Sequence, residues 1–442
     1  MAPPSSPYLL PAQPIVDRRL ADAVAADYLK FAQARPPTDF TDYVSTRYAL
    51  DLRTEYAGCE LTNPWGKASG QLSMTVQQIE EDVQAGLGFV VLKTVIAQDP
   101  HGRQSMEQWV VKESRMAAES VVGASGKAGW TINWKGRGWW QPFDEYLQLV
   151  RDARRIAQHG HTLIVPSCKY HLPKPDEATW NTAEYEYTTR QLLSAWSAAV
   201  ESASSPMPLE KDFSPTLEGS DHAAVQANIL EWLRQVPEHI ATAVATWGEG
   251  TGYDEKQSGI RLGLKIFNAL FDDEFQLEML RTIHAAKRRA NYFIYGNRLF
   301  DPNRQFEGHR GIAYGGPDLS DRNLRVMSRF GREVVDGAIA EPTLPWSATG
   351  NIATGKMALE YALQGASSFQ LHTFFQLPSH VYAMKVGSKT QKALHELYFH
   401  PQTGLIVWMH HLAALLALPR DPIRLRDIIG RGTDRRLCRE SK

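Results

Sequence analysis

Gly88-Phe-Val-Val-Leu-Lys93 and Arg261-Leu-Gly-Leu-Lys-Ile-Phe267 decide the fold of this chain. Both runs are short, apolar and rich in branched side chains, with glycine or charge at their edges. That is the pattern of a strand buried on both faces, and it is too short for an ordinary helix. Each run also carries a lysine, at 93 and at 265, where water is scarce. Buried lysines are rare unless paired, so the pattern predicts a partner anion of functional interest.

Working outward, runs of the same kind recur at Trp65-Gly-Lys-Ala-Ser69, Thr162-Leu-Ile-Val-Pro166 and Pro208-Leu-Glu-Lys-Asp-Phe213. They recur again at Tyr292-Phe-Ile-Tyr-Gly296, Leu344-Pro-Trp-Ser-Ala348 and Ser368-Phe-Gln-Leu-His-Thr373. Helical periodicity follows at 76–85, 143–158, 275–288 and 353–363. Strands separated by crossovers pair in parallel, and right-handed crossovers let eight such units close. The expectation is an α/β fold of the (β/α)₈ TIM-barrel type spanning residues 58–420. An open doubly wound sheet would want G-x-G-x-x-G after an early strand, and the sequence has none.

Residues 1–57 read as an N-terminal extension: prolines at 3, 4, 7, 11 and 14, then an amphipathic helix at 16–34 with Leu20, Val24, Tyr28 and Phe31 on one face. Packing across the barrel is the simpler role for it, a lid or docking surface the sharper one. Residues 421–442 read as a C-terminal tail. Segments 166–207 and 217–258 exceed what a crossover needs, which predicts insertions at the C-terminal face, where barrels shape their substrates.

Composition excludes several classes. The chain has 442 residues, with 48 Lys plus Arg against 49 Asp plus Glu, so it exerts no bulk pull on nucleic acid or an anionic membrane. Cys59, Cys168 and Cys438 are too scattered for a metal site or a disulfide framework. The apolar stretch 405–418 is broken by His410-His411 and is too short to span a bilayer. The first residues lack the basic-then-apolar order of a signal peptide. No nucleic-acid partner, no integral membrane segment and a cytoplasmic location are the expectations.

Polar and small residues gather where the predicted strands end, the face on which barrels place their chemistry. These are Ala68-Ser69-Gly70, Lys93-Thr94, Lys211 with Ser214-Pro215-Thr216, Lys265, Asn297, Gly315-Gly316, Gly350-Asn351 and His372-Thr373. Thr349-Gly-Asn-Ile-Ala-Thr-Gly355 leads straight into a helix, as a phosphate site between the last two strands would require. Ordinary loop punctuation accounts for the same residues equally well.

Taken in order, these motifs resemble the dihydroorotate dehydrogenase family, including the related barrel domain of dihydropyrimidine dehydrogenase. Asn63-Pro64…Ala68-Ser69-Gly70 resembles that family's opening, and Gly86-Leu-Gly…Lys93-Thr94 its second strand. Asn133 resembles its substrate asparagine, Lys265 its flavin lysine and Gly315-Gly316 its flavin-side glycines. Gly350-Asn-Ile…Gln-Leu-His-Thr373 resembles its closing motif. The match runs from about Gly58 to Phe375. The resemblance implies an FMN-dependent oxidoreductase of the CH–CH type that moves hydride between a cyclic, dihydropyrimidine-like substrate and flavin N5.

It also implies site residues. Ala68, Ser69, Lys93, Thr94, Lys265, Asn297, Gly315, Gly316, Gly350, Asn351, His372 and Thr373 would bind FMN, and a lysine beside the flavin N1–O2 edge would favour its reduced form. Asn133, Lys211 and Thr216 would contact substrate, with Ser214 as base and Lys93 as a second catalytic residue. The sequence departs from the family at Ser214-Pro215-Thr216, where Pro-Asn is usual after the base, and at Lys211, where the family has asparagine. Asn351 and His372 likewise replace small residues. Cys168, His101, His161 and His171 are further proton carriers by type. The electron acceptor stays open, and a homodimer is compatible with the reading. Two alternatives remain at this point. One is a phosphate-binding barrel isomerase or lyase using its lysines on substrate. The other is a non-catalytic flavin-binding partner protein.

Overall fold

The computed structural model describes residues 6–437 apart from 35, 111–115, 135–137, 159, 175, 178, 200–204, 214–221, 249–258, 269–271, 288 and 307. Eight strands form its centre: β1 (Trp65–Lys67), β2 (Phe89–Val91), β3 (Leu163–Val165, continuing past Pro166 into Ser167–Lys169), β4 (Met207–Asp212), β5 (Ile260–Ile266), β6 (Tyr292–Tyr295), β7 (Trp346–Thr349) and β8 (Ala366–Leu371). Each falls on one of the eight predicted runs.

Every pairing among them is parallel, and the ring closes. β3 meets β2 through its first half (Phe89↔Leu163) and β4 through its second (Ser167↔Glu210), with Pro166 as the joint. β8 returns to β1 through Phe369↔Trp65. A proline is tolerated at that joint because its carbonyl still accepts from the Glu210 N–H at 3.0 Å. The fold is therefore the α/β barrel that the sequence predicts.

Two apolar shells hold it. The outer one lies between strands and helices. The inner one is small and includes Tyr56, Phe89, Val91, Val165, Tyr292 and Ile294. Gly66 is what admits the Phe89 ring, since a Cβ there would stand 2.1 Å from it.

The barrel floor is plugged by a hairpin, Thr54–Tyr56 with Cys59–Leu61. Tyr56 stacks on Phe89 with centroids 4.3 Å apart and hydrogen-bonds Glu210 inside the barrel. The boundary placed at 57/58 thus falls in the turn of a hairpin that belongs to the barrel. The boundary at 420/421 is similarly crossed, because Leu50–Asp51 pairs in parallel with Ile423–Arg424.

The helix Arg18–Gln33 packs on Lys389–Phe399, with Tyr28 stacked on His395 and the Phe31 ring set against Phe399. Its Asp27 is buried and accepts from the hydroxyls of Tyr43 and Tyr48, 2.8 and 2.7 Å away. The two long segments carry the helices Thr182–Ser197 and His222–Gly248. Two antiparallel hairpins at the mouth, Met116–Val122 with Ala128–Trp134 and Leu299–Phe306 with His309–Tyr314, were not anticipated. Among the described residues no helix is long and apolar enough to cross a membrane.

Candidate functional site

A cavity of about 490 Å³ opens at the C-terminal ends of the strands. Its inner end is walled by Ala68 and Ser69 after β1, Lys265 from β5, Asn297 and Arg298 after β6, and Gln370 and His372 at the end of β8. Its outer end is walled by residues 349–354, by Gly315, by Thr373 and by one face of the hairpin Met116–Trp134.

Lys265 and Lys93 differ at the inner end. The Lys265 ammonium lies 3.4 Å from the Glu210 carboxylate and donates to Gln370 Oε1 at 3.0 Å. Glu210 in turn accepts from Tyr56 and Gln370, so the anion required by burial is supplied from inside the protein. That corrects the expectation that this lysine favours an external anion.

Lys93 is equally buried, yet its ammonium has no hydrogen bond or ion pair among the described residues. Burial pushes its ammonium down to about 7, and the Arg298 guanidinium pushes the same way, against Asp212. His372 is held neutral, down to about 3, first by burial and then by Arg298, Lys93, Lys265 and Lys67. Both lysines therefore act on the same imidazole.

Thr94 stands behind the wall. Its hydroxyl lies 2.8 Å from Ser69 Oγ and 2.9 Å from Ser167 Oγ, tying β1, β2 and β3 together at their ends.

At the outer end two helix N-termini approach the cavity. Pro317–Val335 begins at Gly316, beside Gly315 on the wall. Gly355–Leu363 is capped by Thr354, which accepts from the Met357 N–H at 3.0 Å. Such ends carry partial positive charge, an ingredient of an anion site, although the Lys356 N–H already donates to the Thr403 carbonyl at 2.9 Å and the Met357 N–H to Thr354. Gly350 takes φ +106°, and a Cβ there would stand 2.8 Å from Leu319 Cδ2 and 2.9 Å from Asn323 Nδ2. Asn351, at φ +55°, donates from its amide to Ser320 Oγ at 2.9 Å.

The structure thus brings Ala68, Ser69, Lys265, Asn297, Gly315, Gly350, Asn351, His372 and Thr373 around one cavity, with Thr94 bonded to Ser69, Lys93 acting on His372 and Gly316 next to Gly315 just outside the lining. Lys211 does not join them. It pairs in register with Cys168, whereas the inward residues at that level are Ser167 and Glu210. Its ammonium donates to the Asp212 carbonyl at 2.7 Å and is pushed down to about 7 by burial and then by Lys169.

Cys168 shares that outward side, and burial pushes its thiol up. Asn133 lies in the hairpin strand whose Ile132 reaches the cavity wall, but its side chain is outside the described residues, as are Ser214 and Thr216. His171 is engaged by Glu177 at 3.1 Å, and His101 is exposed.

Sequence reasoning missed Arg298, Glu210, Asn323 and Tyr8. Asn323 reaches the carbonyls of Gly296 and Thr349, 3.2 and 3.1 Å away, and accepts from Asn268 at 2.7 Å, so it fixes the loops after β6 and β7. Nothing local marks it, because it sits mid-helix. Glu210 carried a signal that was passed over: a carboxylate inside an apolar strand, matching the lysine in the next one.

No protein-family model matches the chain, and no curated protein matches it. Among solved structures it is similar to a crystal structure of DHODH from Eimeria tenella in complex with ferulenol. The two share 15% sequence identity, with a TM-score of 0.54 over 96% of this chain and 98% of that one. At that identity the likeness is one of fold: the chain has a DHODH-like barrel.

Proposed function

We propose that this chain is an FMN-dependent oxidoreductase acting on the C–C bond of a small, cyclic, dihydropyrimidine-like substrate. The observation that carries the reading is the shared wall: an inner end lined by Lys265, Arg298 and His372 with Lys93 behind it, and an outer end formed by two helix N-termini. A cavity of about 490 Å³ suits a ligand of this size, since pockets for such molecules run to roughly 300–1,000 Å³. The residue types also suit FMN, with cations at the ring end and backbone donors for a dianion at the other.

Ala68, Ser69, Lys265 and Asn297 would hold the ring system, and Gly315, Gly316, Gly350, Asn351 and Thr373 the phosphate. When bound, FMN would supply a ring nitrogen, N5, able to accept hydride. Lys93, with its ammonium near neutrality, would hold an anionic group at the inner end or exchange a proton there. Ser214 stays the base by resemblance. Lys211, on the outward side of β4, is assigned no role at the substrate.

The test is direct. Purified protein should carry flavin absorption and release FMN on denaturation, and anaerobic dihydropyrimidines should bleach it. Colourless protein that cannot be reconstituted with FMN would refute the cofactor. Lys93 also supports a second reading. A buried amine pushed down to about 7 is a competent nucleophile, as a Schiff-base isomerase or lyase requires. Borohydride trapping with a keto substrate, followed by peptide mapping to Lys93, would favour that class instead.

A further inference from the structure

The outer wall contains a residue from far up the chain. Tyr8 lies ahead of the first helix, yet it lines the cavity together with Lys127 from the turn between Met116–Val122 and Ala128–Trp134. We propose that Tyr8 and Lys127 form an anion-selective subsite at the phosphate end, with the N-terminal segment as its fastening. This rests on the FMN reading above and names residues of this chain that the family resemblance does not supply.

Lys127 Nζ stands 3.2 Å from the centroid of the Tyr8 ring, an intimate cation–π contact that fixes where the ammonium can be. Its other partner is the Asp321 carboxylate at 3.8 Å, with Lys127 about half exposed (48%). A pair so long and so wet is worth little, and Asp321 already accepts from the Tyr8 hydroxyl. The ammonium therefore keeps most of its charge for a third group.

Tyr8 joins the surrounding elements. Its hydroxyl also lies 3.2 Å from Ser320 Oγ, and Ser320 Oγ accepts from Asn351 in the loop after β7. One side chain thereby links the hairpin tip, the first turn of Pro317–Val335 and the positive-φ loop. The segment carrying it is clamped by Gly355–Leu363. The N–H groups of Leu9 and Leu10 donate to the two oxygens of Glu360, at 2.8 and 3.0 Å, and Lys356 donates to the Pro11 carbonyl. The helix that aims its N-terminus at the phosphate end thus also holds the strap that positions the lysine.

Comparison of FMN with riboflavin, which lacks only the phosphate, isolates this subsite. Calorimetric titration of the full chain with both flavins should give Lys127→Ala a loss of FMN affinity on the order of 10- to 100-fold, with riboflavin affinity unmoved. Tyr8→Ala should reproduce the loss, and Tyr8→Phe, which keeps the ring beneath the ammonium, should retain most of the affinity. FMN affinity unchanged in both alanine variants would overturn the inference, as would an equal loss for both flavins, which marks a merely structural role. Wild-type protein that binds neither flavin sinks the cofactor reading and this inference with it, a result distinct from the other two.

Discussion

Halfway down the barrel and at its mouth, lysines from two strands that do not touch, β5 and β2, meet opposite conditions. In the interior, Lys265 belongs to a closed set: Glu210 and Gln370 engage it, and Tyr56 from the floor hairpin engages Glu210. At the mouth, Lys93 is just as buried, but the charge acting on it most strongly belongs to another cation, Arg298. The difference separates a cation answered by the protein's own carboxylate from one that is not. A buried charge answered from within holds the strands in register. One left among other cations raises the potential where an anion would enter.

That contrast can be broken most forcefully at Glu210. Glu210→Ala should cost ~3–5 kcal/mol in urea denaturation, because it strands Lys265 without its carboxylate. A cost within the error of the melt would mean that the interior set is not a unit.

Lys93→Met should act with the opposite sign and stabilise the ligand-free protein by ~1–3 kcal/mol near neutral pH. The sign follows from proton binding. The folded lysine titrates at about 7 and the unfolded one at its ordinary 10.5, so between those values the folded state binds fewer protons. Wild-type stability should therefore rise as pH climbs from about 7 towards 10.5, and the variant should lack that rise. Parallel pH–stability curves for the two proteins would remove Lys93 from the argument.

Two smaller effects sharpen the outer end. Gly350→Ala should destabilise by ~1–2 kcal/mol, since φ +106° disfavours a side chain and the new methyl would press on Leu319 and Asn323. Thr354→Ala removes the cap of Gly355–Leu363 and should cost ~1 kcal/mol, read as a lowered thermal midpoint. It should weaken FMN less than Lys127→Ala does, because the backbone donors survive.

Much of the fold was legible because buried parallel strands are written as continuous apolar runs, and all eight could be read from residues 65 to 373. The strand-end residues were legible by type, since Gly, Lys, Asn and Thr are conspicuous after such runs. The mouth hairpins were not, because they sit inside crossovers where helical periodicity is expected. Arg298 was not either: one residue beyond Asn297, it looks like an ordinary loop arginine until the cavity wall is traced.

By itself the sequence determined the architecture and where along each strand the chemistry would lie, because periodicity and strand-end composition are local properties that survive without coordinates. Tertiary structure alone decided the partners. It paired Lys265 with Glu210, 55 residues away, left Lys93 among cations, turned Lys211 away from the mouth, and brought Tyr8 to Lys127 across the chain. The physical reason is that a charge's role depends on what faces it, and in a closed barrel what faces a residue comes from another strand.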